Sequence, residues 1–162
     1  MAELIGISLS YAENISFYIP VGHKNIKGLN KDFVVKKLKP ILEDPSIKKV
    51  GQNIKYDFII LKKYGVELNS VEDTMLLSYT LDAGNNRHNM DTLSELHLNH
   101  KTISYKDLVG SGKKQLKFSE VDIDKATEYA AEDADVTLRL YEILSERVSD
   151  EKLSQIYEAF EK

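Results

Sequence analysis

The chain has 162 residues, 42% hydrophobic and 30% charged, with a formal net charge of −4 and no cysteine. Such a length suits one soluble domain with a real core, and the lack of cysteine excludes disulfides and thiolate metal sites and fits a reducing, cytoplasmic setting. No run is apolar enough to span a bilayer and no signal-peptide pattern opens the chain, so no membrane partner is expected; a polyanion would have to meet local basic groups or metal ions held by carboxylates.

Taken in order, residues Leu4–Tyr11 and Ile15–Pro20 are rich in β-formers and are separated by Ala12-Glu13-Asn14, a hairpin signal. Asn30 is placed to cap a helix carrying Phe33, Val34, Leu38, Ile41 and Leu42, which Asp44-Pro45 ends. Lys48–Gly51 reads as a short strand, and Asn53 as the cap of a helix bearing Ile54, Phe58, Leu61 and Tyr64, stopped by Gly65. A short strand over Val66–Val71 follows, then helices over Asp73–Leu81 and Met90–Leu98 around a loop at Asp82–Asn86. Gly110–Lys114 is a basic loop. The last long helix repeats apolar residues at Ile123, Ala126, Ala130, Ala134, Leu138, Tyr141, Leu144 and Val148, steps of three or four that mark one buried face. A hairpin followed by alternating strands and helices predicts a single α/β domain over residues 1–162 with a mixed sheet.

Two constellations could carry chemistry. On the long helix, Tyr129 and Asp133 lie one turn apart and share a face at the border of core and solvent. In Gly51-Gln52-Asn53-Ile54-Lys55-Tyr56-Asp57, a strand end delivers Asn53 to a helix start and places Asp57 one turn on. Capping and the helix dipole alone account for an Asn and an Asp there. Together the two segments offer carboxylates, Asp57 and Asp133, to hard cations such as Mg²⁺ or Mn²⁺. Two such ions can bind the attacking and leaving oxygens of a phosphodiester.

Five stretches, Val50–Asp57, Asp73–Leu76, Arg87–Asp91, His100–Ile103 and Tyr129–Thr137, occur in an order that resembles the 3′→5′ exonuclease (proofreading) domain of bacterial family A DNA polymerases, the DNA polymerase I family. The resemblance runs over essentially the whole chain. It implies a ribonuclease H-like fold and two-metal hydrolysis of the last phosphodiester at the 3′ end of single-stranded DNA. It also implies a polymerase domain in the same full-length protein, beginning near Lys162. By position, Asp133 resembles the carboxylate of the tighter metal, Tyr129 the phenol that orients the attacking water, Asp57 the carboxylate of the second metal, and Asn53 its support. Lys55, Tyr56, Arg87 and Tyr105 match positions that hold the single-stranded 3′ end, where cations pair with phosphates and rings stack on unpaired bases.

One departure carries weight. The family's first strand bears Asp-x-Glu, and this chain contains no such triplet; Glu3-Leu4-Ile5-Gly6-Ile7-Ser8-Leu9 resembles the strand after it. The expectation is a domain truncated at its N-terminus, short of the central strand and two metal ligands, with impaired activity and an exposed sheet edge open to self-association. Asp122/Asp124 and Asp133/Asp135 do not replace the pair, since helical residues two apart diverge. A catalytically inactive structural or DNA-binding module, and trimming of RNA 3′ ends as in ribonuclease D, are the rival readings. Gly110–Lys114 fails the phosphate-loop pattern, His97 and His100 lack further zinc ligands, and Asp91 with Glu95 reads as helix-surface charge.

Overall fold

A computed structural model of the chain describes residues 3–161; Lys162, where the polymerase domain is expected to begin, lies outside them. The hairpin forms as read. Strand β1 (Gly6–Ala12) pairs antiparallel with β2 (Ile15–Pro20), Gly6 facing Pro20 and Leu9 facing Phe17. Asn14 turns the chain with φ 61, which an Asn tolerates better than a branched residue. A Cβ at Gly6 would sit 2.1 Å from the Tyr18 hydroxyl, so the close pass of that ring requires glycine.

Helix α1 (Lys31–Glu43) starts at Asn30, whose side chain accepts from the Phe33 N–H at 2.9 Å, and ends at Asp44 ahead of Pro45. Strand β3 (Lys49–Gly51) leads into α2 (Lys55–Lys62) and pairs parallel with β4 (Val71–Asp73). The strand expected over Val66–Val71 is therefore displaced. Val66–Ser70 is irregular, with Ser70 at φ 53, and Val66 and Leu68 are buried as core plugs rather than alternating along a ladder. Helices α3 (Thr74–Asp82) and α4 (Met90–Leu98) follow, each with an acceptor cap, Asp73 and Asn89. Two further helices had no sequence reading: α5 (Tyr105–Val109) and α7 (Ser154–Glu161).

Everything is arranged on α6 (Ile123–Asp150), which packs against β1, β2, β3, α3, α4, α5 and α7. Its buried face holds as read at Ala126, Ala130, Leu144 and Val148 and departs from the expected stripe between them. Val136 and Leu140 are buried there, whereas Ala134, Leu138 and Tyr141 are half-buried. The cause is a change of neighbours along the helix. Its first turns join Val109 and Val121 in a small cluster, and its later turns join Leu77, Leu93 and Tyr157 in another. Leu140 and Leu144 are both 0% exposed, and each such burial contributes about 1.5–3 kcal/mol.

The mixed sheet exists as two separate pairs, the antiparallel β1–β2 and the parallel β3–β4; among the described residues no strand joins them. Helix α6 bridges the pairs from one side, and Lys48 ties β3–β4 to it, reaching the Tyr141 hydroxyl at 2.6 Å and Glu72 at 3.0 Å.

Candidate active site

Tyr129 and Asp133 project from α6 together, the phenol within hydrogen-bonding reach of the carboxyl. Asp133 is half-buried, and its Oδ1 is buried with no hydrogen-bond partner. Burial pushes the carboxyl's pKa up to about 7; the Tyr129 phenol pulls it down, and the charges of Glu132 and Asp91 push it further up. Burial, then the Asp133 charge, raises the Tyr129 phenol as well. Buried carboxylates are ordinarily satisfied by hydrogen bonds, so an orphaned oxygen here leaves room for a partner from outside the described residues, and a cation fits its chemistry.

Aromatic rings wall this end of α6. The Tyr105 and Phe118 rings each lie 6.1 Å from that of Tyr129 and stack on each other at 6.4 Å. Tyr105 remains 48% exposed, open to a planar ligand. Its placement depends on Glu132, which meets His100 Nε2 at 2.8 Å and accepts from the Ile103 N–H at 2.7 Å, binding the segment before α5 to α6. Thr102 donates to Asp91 at 2.7 Å on the same segment. Sequence reasoning missed Glu132, Phe118 and Asp91. Asp91 is not free surface charge: it holds Thr102 and acts electrostatically on Tyr129 and Asp133. No sequence signal separated them from ordinary helix and loop residues.

The second constellation corrects an expectation. Asn53 does not cap α2: it sits at φ 56, Ile54 occupies the cap position in helical geometry, and no side chain caps this end. Instead the Asn53 and Ile54 N–H groups donate to the two carboxylate oxygens of Asp73, at 2.9 and 3.0 Å. A remote carboxylate satisfies the helix start, so the Asn53 side chain is released and the residue is exposed. Lys55, Tyr56 and Asp57 follow on the exposed first turn of α2, Tyr56 being 58% exposed. Asp57 is open to solvent as a residue, yet crowding by protein atoms pushes its carboxyl up to about 6, with the Asp73 charge adding to the rise. Arg87 is exposed in the loop between α3 and α4, next to His88, whose carbonyl accepts from Gln52 at 2.8 Å and whose Nδ1 meets Ser78 Oγ at 2.8 Å.

The α6 pair is thus brought together, as is Tyr105 with Tyr129. No hydrogen bond, ion pair or electrostatic coupling among the described residues joins Asp57 to Asp133. Asp133 fits a divalent-ion ligand through its orphaned oxygen, but among the described residues no three acidic or histidine side chains gather closely enough to hold an ion. Asp135 points elsewhere, accepting from the Asn14 N–H and pairing with Arg139 at 3.5 Å, as helical divergence from Asp133 requires. His100 is committed to Glu132 rather than to a metal. The two shallow hollows on α1, lined by residues such as Phe33, Lys36, Lys39 and Tyr64, include none of these side chains. No helix among the described residues is long and apolar enough to cross a membrane.

Comparison with known proteins identifies the family. The family model of the 3′–5′ exonuclease domain of family A DNA polymerases matches residues 2–149. DNA polymerase I of Rhizobium leguminosarum is 46% identical over 181 aligned residues, covering 99% of this chain and 18% of that protein. DNA polymerase I of Pseudomonas aeruginosa is 43% identical over 153, covering 91% of the chain and 17% of its own length. The chain therefore spans less than a fifth of these relatives. Among solved structures, Brucella melitensis NrnC with bound Mg²⁺ superposes with a TM-score of 0.71 at 22% identity, over 97% of this chain and 70% of that one; at that identity the likeness concerns the fold. The family uses divalent metal ions. The chain belongs to the 3′–5′ exonuclease family of family A DNA polymerases.

Proposed function

We propose that this domain trims the 3′ end of single-stranded DNA as the proofreading unit of a cytoplasmic DNA polymerase I, with the polymerase domain in the same protein as its partner. One observation carries the reading: Asp133 holds a buried carboxylate oxygen with no protein partner, one turn from a phenol. That is the environment of a ligand to a hard cation. Asp133 would hold one Mg²⁺ or Mn²⁺, and Asp57, with Asn53 in support, would serve a second. Bound there, the ions would polarise the scissile phosphodiester and favour a nucleophilic water.

The remaining work falls to the chain's own groups. Tyr129 keeps its proton far above neutral pH and so orients a water as a hydrogen-bonding phenol. Tyr105 and Tyr56 offer faces to unpaired bases, and Lys55 and Arg87, both exposed, offer charge to phosphates. The two ligands of an Asp-x-Glu strand are needed beside Asp133, and the split between β1–β2 and β3–β4 supports a place for that strand. Without those two ligands this chain is expected to cut slowly, and its open strand edges favour self-association.

The test is release of the labelled 3′ nucleotide from single-stranded DNA with Mg²⁺ or Mn²⁺. It compares this chain, Asp133→Ala, and the chain preceded by a strand bearing Asp-x-Glu. Activity confined to the completed, Asp133-bearing protein is expected. Silence from all three with folding verified would favour an inactive module, and preference for RNA ends would sink the proofreading role.

A further inference from the structure

We propose that Asp73 is a positioning residue of the site: its buried carboxylate fixes the Gly51–Lys55 turn, and thereby how Asn53, Lys55, Tyr56 and Asp57 are presented to the 3′ end. The role rests on the exonuclease reading above. Asp73 is 3% exposed, and a carboxylate so deep persists only when its oxygens are satisfied. Three backbone N–H groups satisfy it: Asn53 at 2.9 Å, Ile54 at 3.0 Å and Met75 at 2.9 Å. Its own N–H donates to the Tyr157 hydroxyl at 3.0 Å, anchoring the residue to α7.

Capping α3 accounts for the Met75 bond alone. The other two cross the ladder, in which Asp73 stands opposite Gly51, and seize the first residues after that strand. Bonds to a charged acceptor are stronger than neutral ones, and here they help hold Asn53 at φ 56, a left-handed conformation that asparagine tolerates but that is a minority one for any non-glycine residue. Thr74, 0% exposed, braces the same turn: its hydroxyl donates to the Gly51 carbonyl at 3.1 Å and contacts Gln52 Oε1. Gln52 in turn holds the His88 carbonyl beside Arg87 at 2.8 Å. A single buried acid thus sets the backbone beneath four of the site residues while touching no substrate itself.

Asp73→Ser separates the roles, because serine still caps Met75 but is too short to reach Asn53 and Ile54. Tyr157→Phe loosens the anchor and leaves the carboxylate bonds in place. Two readouts apply: amide hydrogen exchange by NMR, and anisotropy of a fluorescein-labelled single-stranded dT oligonucleotide, both well below the melting temperature. In D73S, exchange protection at Asn53 and Ile54 is expected to fall at least about thirtyfold while Met75 and α6 keep theirs. Affinity for the oligonucleotide is expected to fall about tenfold. Y157F should change both by no more than about twofold. Retained protection at Asn53 and Ile54 in D73S would overturn the proposal, and so would lost protection with unchanged affinity, since a merely structural acid lowers the melting temperature alone. Should D73S not fold, Asp73→Asn keeps one accepting oxygen, and a smaller drop in both readouts is the supporting result, unchanged affinity the contrary one. A wild-type chain that binds no oligonucleotide would sink the exonuclease reading and this role with it. Binding that D73S leaves intact would sink the role alone.

Discussion

The two halves of the proposed site are built in opposite ways. Tyr129 and Asp133 stand on an unbroken helix whose flanks reach seven other elements, and the Tyr129 ring packs against Tyr105 and Phe118. Asn53, Lys55, Tyr56 and Asp57 stand on a left-handed turn and an exposed, eight-residue helix that has no side-chain cap. The first half draws its rigidity from packing, and the second from one buried carboxylate twenty residues away in sequence. The difference has a chemical sense. A group that carries a tightly held cation gains from a dry, fixed place. Groups that meet a flexible single strand gain from exposure, and need only their backbone fixed.

Breaking the packed half should have the largest effect. In the chain completed with an Asp-x-Glu strand, Asp133→Asn is expected to lower 3′-nucleotide release by at least about a thousandfold, because several kcal/mol of metal-borne stabilisation disappear. In metal-free buffer at pH 8 the same change should raise stability by about 1–2 kcal/mol, since a largely buried charge with one unpartnered oxygen is removed. Thermal unfolding with EDTA checks the second outcome, and a stability loss would contradict the description of Oδ1 as an orphan.

Glu132→Gln comes next. It weakens the contact with His100 and the bond from the Ile103 N–H, and should cost about 1–2 kcal/mol. If Glu132 positions Tyr105 as described, the affinity for single-stranded DNA should fall, while Asp133 stays raised by its burial and loses only the push of the Glu132 charge. Unchanged affinity would show that Tyr105 is placed by α5 and its Ser104 cap alone.

The pH dependence compares the halves directly. Asp57 titrates near 6 and Asp133 near 7 in the folded chain, against about 3.9 for an unfolded aspartate. The folded state therefore holds protons that the unfolded state has released, and stability contributed by these groups is lost as pH rises from about 4 to about 7. Melting temperatures in EDTA should be lower at pH 8 than at pH 5, and Asp133→Asn should flatten the upper part of that slope. Mg²⁺ should restore part of the loss at pH 8.

The smallest effect is at the turn. Asn53→Ala places a residue with no local hydrogen-bonding ability at φ 56 and should cost about 1 kcal/mol, whereas Asn53→Gly should be within about 0.5 kcal/mol of wild type. A cost from Gly as large as that from Ala, read by urea unfolding, would mean that the Asn53 side chain itself is structural.

These contrasts also explain what the sequence made legible. The hairpin, α1 and the long helix followed from local pattern, because their periodicity and caps are contiguous. The pairing of Tyr129 with Asp133 followed from helical spacing. The middle of the buried stripe, between Ala130 and Leu144, did not, because α6 changes neighbours and buries Val136 and Leu140 there instead. Asn53 was misread as a cap since Asn is a good one and nothing nearby reveals that Asp73 satisfies the helix start from another strand. The strand at Val66 was misplaced because two buried apolar side chains, Val66 and Leu68, fill the core from an irregular segment. Tertiary capture by a distant acid leaves no local signal.

The most direct test of the account is where a divalent ion binds. With substoichiometric Mn²⁺, the broadening of backbone amide signals maps the ion's position. The account predicts broadening centred on Tyr129 and Asp133, extending to the Asn53–Asp57 segment, and abolished by Asp133→Asn. Broadening centred on another acidic stretch such as Asp122–Asp124, or a pattern that survives Asp133→Asn, would contradict it.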